Sequence, residues 1–327
     1  MNSTDAPRRI LVLAHTGRDE ARAVATQACE TLHRHGIALR LLKDEAAELA
    51  LDLPGLEVVE PVADASEGCE LVLVIGGDGT ILRGAELTRE SGTPLLGVNL
   101  GHVGFLAEAE SDDVEFTIDA IVNKQYSFEE RLTIDVSVYR DGELVTSTWA
   151  LNEASVEKAA RERMLEVVVE VDGRPLSRWG CDGVVCATPT GSTAYNFSAG
   201  GPVVWPGVEA LLMVPISAHA LFARPMVVAP TSVLAVEVLE NTNGAGVMWA
   251  DGRRTVELPP GARIEVRRGT TPVRLVRLHD SPFTDRLVAK FGLPVQGWRG
   301  ASERRRRDVE EIVEGLAEDG VDRGPHA

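Results

Sequence analysis

The run Gly76-Gly77-Asp78-Gly79-Thr80 follows directly on the apolar residues 71–75, and its composition suits phosphate chemistry. Glycine lets a backbone pass close to a ligand with its N–H groups exposed. Thr80 is a fair N-cap for a helix that starts at Ile81, and such a helix turns its positive end toward the loop. Arg83 then lies about one turn inside the helix, where a guanidinium can meet a phosphate. An aspartate among anion-attracting groups is unusual for a mere turn. The Asp78 carboxylate can hold Mg2+ or accept a proton from a hydroxyl. The plainer reading is a tight turn in which Asp78 only caps the helix, because Gly-Asp-Gly also marks ordinary turns. Neither G-x-x-x-x-G-K-[S/T] nor G-x-G-x-x-G occurs in the chain, so both standard phosphate loops are absent.

Three further segments are rich in ligand-binding groups. Asn99-Leu100-Gly101-His102-Val103-Gly104-Phe105-Leu106 is a second glycine-rich turn after an apolar run, offering an amide and then a ring that can pack on a base. Its plain alternative is a satisfied loop with Phe105 in the core. From Asp182 an apolar strand runs into Thr188-Pro189-Thr190-Gly191-Ser192-Thr193-Ala194-Tyr195, followed by Ser198-Ala199-Gly200-Gly201-Pro202. Hydroxyls and backbone there can satisfy a polar ligand edge while Tyr195 stacks. Asn152-Glu153, ending a strand over 146–151, pairs an amide with a carboxylate and suits the vicinal hydroxyls of a ribose. Alone, that dipeptide says almost nothing.

These segments need a frame to hold them. Residues 10–14, 38–42, 71–75 and 94–98 read as buried strands, with helices over 19–35 (Gly36 at its end) and 111–122. Continuous apolar strands joined by helices imply a parallel sheet covered on both faces, with ligands beyond the carboxyl ends of its strands. Near residue 130 the rhythm changes. Residues 132–138 and 165–171 alternate with period two and run into Asp141-Gly142 and Asp172-Gly173, which are hairpin signals. Residues 233–239, 247–250, 263–266 and 273–278 continue in this style. The expected fold is an α/β N-terminal domain over 1–128 and a mostly antiparallel, β-sandwich-like domain over 129–290. A tail over 291–327, with the basic run Arg304–Arg307 and a charged helix, is expected to be partly disordered.

Composition narrows the function classes. A net charge of −17 over 327 residues repels nucleic acid, whose binding rests on phosphate neutralisation by Lys and Arg. A phosphate site on such a protein must be a local electropositive pocket of backbone N–H groups, a few arginines and Mg2+. No apolar run approaches the roughly 18 residues of a membrane span. Residues 10–14 are too brief for a signal-peptide core, so no membrane partner and a cytoplasmic location are expected. The four cysteines (Cys29, Cys69, Cys181 and Cys186) are too sparse for a disulfide framework and read as buried thiols.

In their order, Gly-Gly-Asp-Gly-Thr, Asn-x-Gly-x-x-Gly-Phe-Leu, Asn-Glu and Asp-Gly…Thr-Pro-Thr-Gly-Ser-Thr-Ala-Tyr closely resemble the NAD kinases. The likeness spans residues 8–290 and continues in Ser217-Ala-His219-Ala-Leu-Phe-Ala-Arg224-Pro225. It implies transfer of a phosphoryl group from ATP, or from polyphosphate, to the 2′-hydroxyl of the adenosine ribose of NAD. It also implies a divalent metal, Mg2+ by expectation and with no ligands assigned, and a homo-oligomer, dimer or tetramer. Carried over by position, Asp78 is the proton acceptor, and Gly76, Gly77, Gly79 and Thr80 form the phosphate-donor loop. Asp78, Gly79, Arg83, Phe105, Asn152, Glu153 and Asp182 line the NAD site, with the stretch Thr193, Ala194, Tyr195, Asn196, Phe197 and Ser198. Arg163 and Arg253 match positions that vary in the family. Two alternatives stand beside this: a lipid or sugar kinase with the same first loop, and a non-catalytic dinucleotide sensor.

Overall fold

The structure is a computed structural model that describes residues 8–101, 104–110, 114–160, 163–240, 244–279 and 282–295. Its first sheet is built on the strands expected near the N-terminus. Arg9–Ala14 pairs in parallel with Ala38–Leu42 on one side and with Leu71–Ile75 on the other, and Leu95–Asn99 adds to the latter. These strands carry almost unbroken runs of Ile, Leu and Val because helices cover both faces. One face packs on the helices Asp19–Arg34 and Val114–Val122 through Ala21, Ala25, Leu32, Ile118 and Ile121. The other receives Ile81, Leu82 and Ala85 of the helix Asp78–Thr88, together with Leu151 from the second half of the chain.

The first correction is a strand. Val273–Arg277, expected among the antiparallel strands, instead enters the first sheet. It lies parallel to Leu95–Asn99 and antiparallel to Ser127–Arg131. Its Val-x-Leu-Val composition cannot distinguish the two destinations, since the choice is made by partners far away in sequence. The helix Lys43–Leu49 and the short strands Glu57–Val59 and Ala109–Glu110 were also not anticipated.

The remaining strands form two antiparallel sheets of six strands each. One runs, edge to edge, Arg174–Cys181, Leu165–Val171, Leu234–Val238, Arg263–Arg268, Ile134–Arg140 and Glu143–Ala150. The other runs Met226–Val228, Leu211–Ile216, Gly183–Ala187, Glu153–Lys158, Gly246–Ala250 and Arg254–Leu258. Alternate residues of both meet in one core that includes Ile134, Val136, Val167, Trp179, Val184 and Met248, as a sandwich requires. The hairpin signals hold: Asp141 and Gly142 have φ of 52° and 79°, Asp172 and Gly173 53° and 71°, the signs a type I′ turn needs.

Burial pushes the thiols of Cys29, Cys181 and Cys186 up to about 12, which makes them packing residues rather than reactive ones. No helix among the described residues is long and apolar enough to cross a membrane. A helix at Phe283–Phe291 belongs to a separate compact unit from residue 281 onward and ends at Gly292 with φ of 57°. The basic run Arg304–Arg307 and the helix expected after it lie outside the described residues.

Candidate active site at the switch point of the first sheet

Arg9–Ala14 and Leu71–Ile75 are neighbours, but the chain leaves them in opposite directions, the first toward Ala38–Leu42 and the second toward Leu95–Asn99. The loops after them therefore part and leave a crevice, the place where open α/β sheets bind ligands. A cleft of about 670 Å³ opens there, lined by His15–Arg18 from the first loop and by Gly77, Gly79, Thr80 and Arg83 from the second. Asp251, Gly252 and Arg253 of the sandwich close its far wall. Its charged lining is Arg18, Arg83 and Arg253 against Asp251 alone, and the Asp251 carboxylate is turned to backbone N–H groups. Arg83 is paired with Glu45 and Arg253 with Glu86, both outside the lining, so the cleft offers an anion guanidinium donors held in place rather than a large net charge.

The second loop is held by close approach. Gly76 has φ of 154°, and a Cβ there would lie 2.6 Å from Oγ1 of Thr80. Its N–H donates to the carbonyl of Val98, so Gly76 shapes the loop without lining the cleft. The helix starts at Asp78, with Gly77 as an extended N-cap, rather than at Ile81 with Thr80 as cap. Gly77 has no side chain to cap with; the Thr80 N–H bonds the Gly77 carbonyl, and those of Asp78 and Gly79 are the first-turn donors left to a ligand. Asp78 begins that turn. Its Oδ2 accepts the N–H of Phe105 and its Oδ1 that of Leu106, both at 3.2 Å. A Cβ at Gly104 would meet Asp78 Oδ1 at 2.5 Å, so glycine is what lets the second motif close on the first. Phe105 contributes its N–H, while its ring is buried. Arg83 donates to Oε1 of the buried Glu45 at 2.6 Å.

The other two motifs meet on the sandwich. Thr188 donates through Oγ1 to the carbonyl of Leu151 at 2.6 Å, and its N–H bonds the carbonyl of Asn152. A Cβ on Gly191 would sit 2.0 Å from that carbonyl oxygen, so only glycine fits against it. The Tyr195 N–H bonds the Glu153 carboxyl. Asn152 and Glu153 are buried and Thr193, Ala194 and Tyr195 partly so; Phe197 and Ser198 are exposed. Asn196 is fully buried and donates from Nδ2 to the carbonyls of Ser192 and Pro202, which braces the loop. Asp182 pairs with Lys158 at 2.5 Å, and that hydrogen bond holds its carboxyl below the usual range. Arg163 is exposed and not part of the cleft lining.

Asp251 was missed in the sequence, yet it joins the two sets. Its carboxylate accepts the N–H groups of Leu151 at 2.9 Å, Asn152 at 2.7 Å and Glu153 at 3.4 Å, and Nη2 of Arg254 at 3.0 Å. Asp251 and Gly252 both have positive φ, 52° and 63°, the mark of a tight turn. Nothing local announces contacts to N–H groups about a hundred residues upstream. The loop His15–Arg18 was missed too, although strand, short glycine-containing loop and helix stood in sequence there. Among the described residues no three His, Cys, Asp or Glu side chains converge as a metal site.

An arginine-lined cleft at a switch point, abutting an aspartate that opens a helix, is the kind of site a phosphoryl-transfer enzyme presents. Comparison with known proteins agrees. Residues 10–126 match the ATP-NAD kinase N-terminal domain and 151–278 the ATP-NAD kinase C-terminal domain. The chain is 63% identical over 294 residues to NAD kinase 2 of Streptomyces avermitilis, covering 90% of this chain and 97% of that one. It is 61% identical to the NAD kinase of Thermobifida fusca over 91% of this chain and 93% of that one. An Archaeoglobus fulgidus NAD kinase solved in complex with ATP is 27% identical with a TM-score of 0.66, covering 86% and 98% of the two chains. Yeast NADH kinase, solved with NADH, shares the fold with a TM-score of 0.80 at 23% identity, over 90% of each chain. The chain belongs to the NAD kinase family.

Proposed function

We propose that the switch-point cleft takes the phosphates of ATP and that the ribose 2′-hydroxyl of NAD lies against Asp78, with the dinucleotide held by Asn152, Glu153 and the Thr193–Tyr195 turn. One observation carries this arrangement: the turn 251–253 presents Arg253 to the cleft while the Asp251 carboxylate holds the backbone of Asn152-Glu153. Donor and acceptor sites thus share a wall. Phosphoryl transfer passes through a loose transition state, so the protein mainly positions groups and neutralises charge. Arg18, Arg83, Arg253 and the N–H groups at the start of the Asp78–Thr88 helix do the second. Asp78 orients the hydroxyl first and takes its proton late, because a hydroxyl is far less acidic than a carboxylic acid.

Mg2+ supplies further charge neutralisation when bound. Asp78 is the carboxylate beside the cleft that would hold the ion. The homo-oligomer and the cytoplasmic location stay with this proposal, as does the use of polyphosphate. The test is a coupled assay for NADPH with ATP and with polyphosphate, beside size-exclusion with light scattering. A wild type that binds NAD but forms no NADP with either donor overturns it.

A further inference from the structure

Glu153 and Asp251 are two buried acids side by side, and their surroundings differ. Glu153 is 7% exposed. It takes the N–H of Tyr195, and its Oε2 has no partner among the described residues. No cation pairs with it there. The groups around it that carry or titrate charge are Asp251 on the facing turn, Tyr195 on the short helix Tyr195–Ser198, and Glu157 further along its own strand. Arg254, the nearby cation, is bound to Asp251. Asp251, by contrast, has three N–H donors and that guanidinium. Burial raises the Asp251 carboxyl above its ordinary value, but its N–H donors and Arg254 pull it back toward the anion, whereas the equally buried Glu153 has one N–H and a second acid beside it and is held more strongly as the acid.

We propose that Glu153 meets the dinucleotide as a neutral carboxylic acid, donating a hydrogen bond from its partnerless oxygen, and that Asp251 is the positioning residue that aims Glu153 and keeps it protonated. The ligand atom it faces is then an acceptor, such as a ring nitrogen or a ribose oxygen. Burial first and Asp251 second push Glu153 up to about 8, so the acid form persists at neutral pH. This rests on the assignment of the pocket to NAD.

The experiment measures KM for NAD at saturating ATP between about pH 6.5 and 9, with NAD titration in the absence of donor as a second readout. The proteins are wild type, Glu153→Gln and Asp251→Asn, each checked by circular dichroism. In the wild type KM for NAD rises about tenfold from pH 7 to 9, as expected when a donor that ionises near 8 is lost. Glutamine cannot ionise, so Glu153→Gln shows a flat profile. Asp251→Asn raises KM for NAD severalfold at pH 7.5, more than it raises KM for ATP, and moves the rise to lower pH. A flat wild-type profile, a rise that survives in Glu153→Gln, or an Asp251→Asn variant that raises both KM values equally overturns the proposal. If Asp251→Asn does not fold, Asp251→Ser removes the same charge while keeping an acceptor. A wild type that forms no NADPH sinks the kinase assignment itself, a result distinct from a pH-flat one.

Discussion

The oxygens of Asp78 each accept one N–H from the loop that follows Leu95–Asn99, so in the proposed mechanism this side chain both shapes the site and takes the proton. Asparagine retains one acceptor oxygen and loses the base. Asp78→Asn is expected to lower kcat by at least about a hundredfold, a usual acid–base contribution, with little change in NAD affinity. Near-normal turnover by that variant removes Asp78 from the proton transfer. Gly191→Ala is expected to fail differently. Its Cβ would lie 2.0 Å from a backbone oxygen that cannot yield as a side chain can, so thermal stability and NAD binding should fall together while ATP binding persists in whatever folds. Glu153 adds a pH effect on stability. Its folded value is raised, so its contribution is complete below the usual carboxylate range and is lost as pH rises through about 8. Melting scans at about pH 6 and pH 9 should show a larger drop for wild type than for Glu153→Gln, and equal drops would contradict it. At this scale Asp78 and Gly79 stood out in a patterned glycine loop, and Gly79 lines the cleft; Glu153 stood out only through the order of the four motifs. Asp251 did not, since its partners are chosen by the fold of the sandwich.

The helix Asp78–Thr88 sets how the two halves meet. Glu86 on it pairs with Arg253, and Arg89 just beyond its end bonds Asp135. Trp149 lies between two guanidinium groups, Arg89 at 4.8 Å and Arg254 at 4.7 Å from the ring. Each such contact is worth about 0.5–2 kcal/mol, and the ring also packs on the buried face of the first sheet. Trp149→Ala is expected to destabilise by about 2–4 kcal/mol, read by denaturant unfolding, and to raise both KM values through loss of register between the halves. A loss below 1 kcal/mol would mean that the stack is ornamental. Elements with strong local patterns, the hairpins at Asp141-Gly142 and Asp172-Gly173 above all, were readable from sequence. The helix Lys43–Leu49 was not. It is short, Lys-Asp-Glu-Ala-Ala-Glu-Leu gives it little apolar periodicity, and its one deeply buried side chain is the charged Glu45.

Across the whole molecule, the placement of Val273–Arg277 inside the first sheet ties the C-terminal part of the described chain to its N-terminal part. A fragment of residues 1–126 keeps Ala109–Glu110 against the far end of Leu95–Asn99 but leaves the Leu95 end without its neighbour, and an open apolar edge invites aggregation. Expressed alone it is expected to aggregate or to lack a cooperative melt, and a monomeric fragment with a sharp transition would contradict this. Truncation after Gly300 should leave activity largely intact, since every site residue precedes it; a folded but inactive product would give the tail a part in the site.

The same strand sets a timetable for synthesis. A ribosome must add about 170 more residues after Asn99 before Val273 exists, on the order of ten seconds or more at ordinary elongation rates. Throughout that interval the parallel sheet waits with one edge covered only by Ala109–Glu110, while the strands of the sandwich come off the ribosome ahead of its last partner. Closure of this sheet therefore waits until nearly all of the sandwich has been made, and the nascent chain during that wait is where a chaperone has most to do.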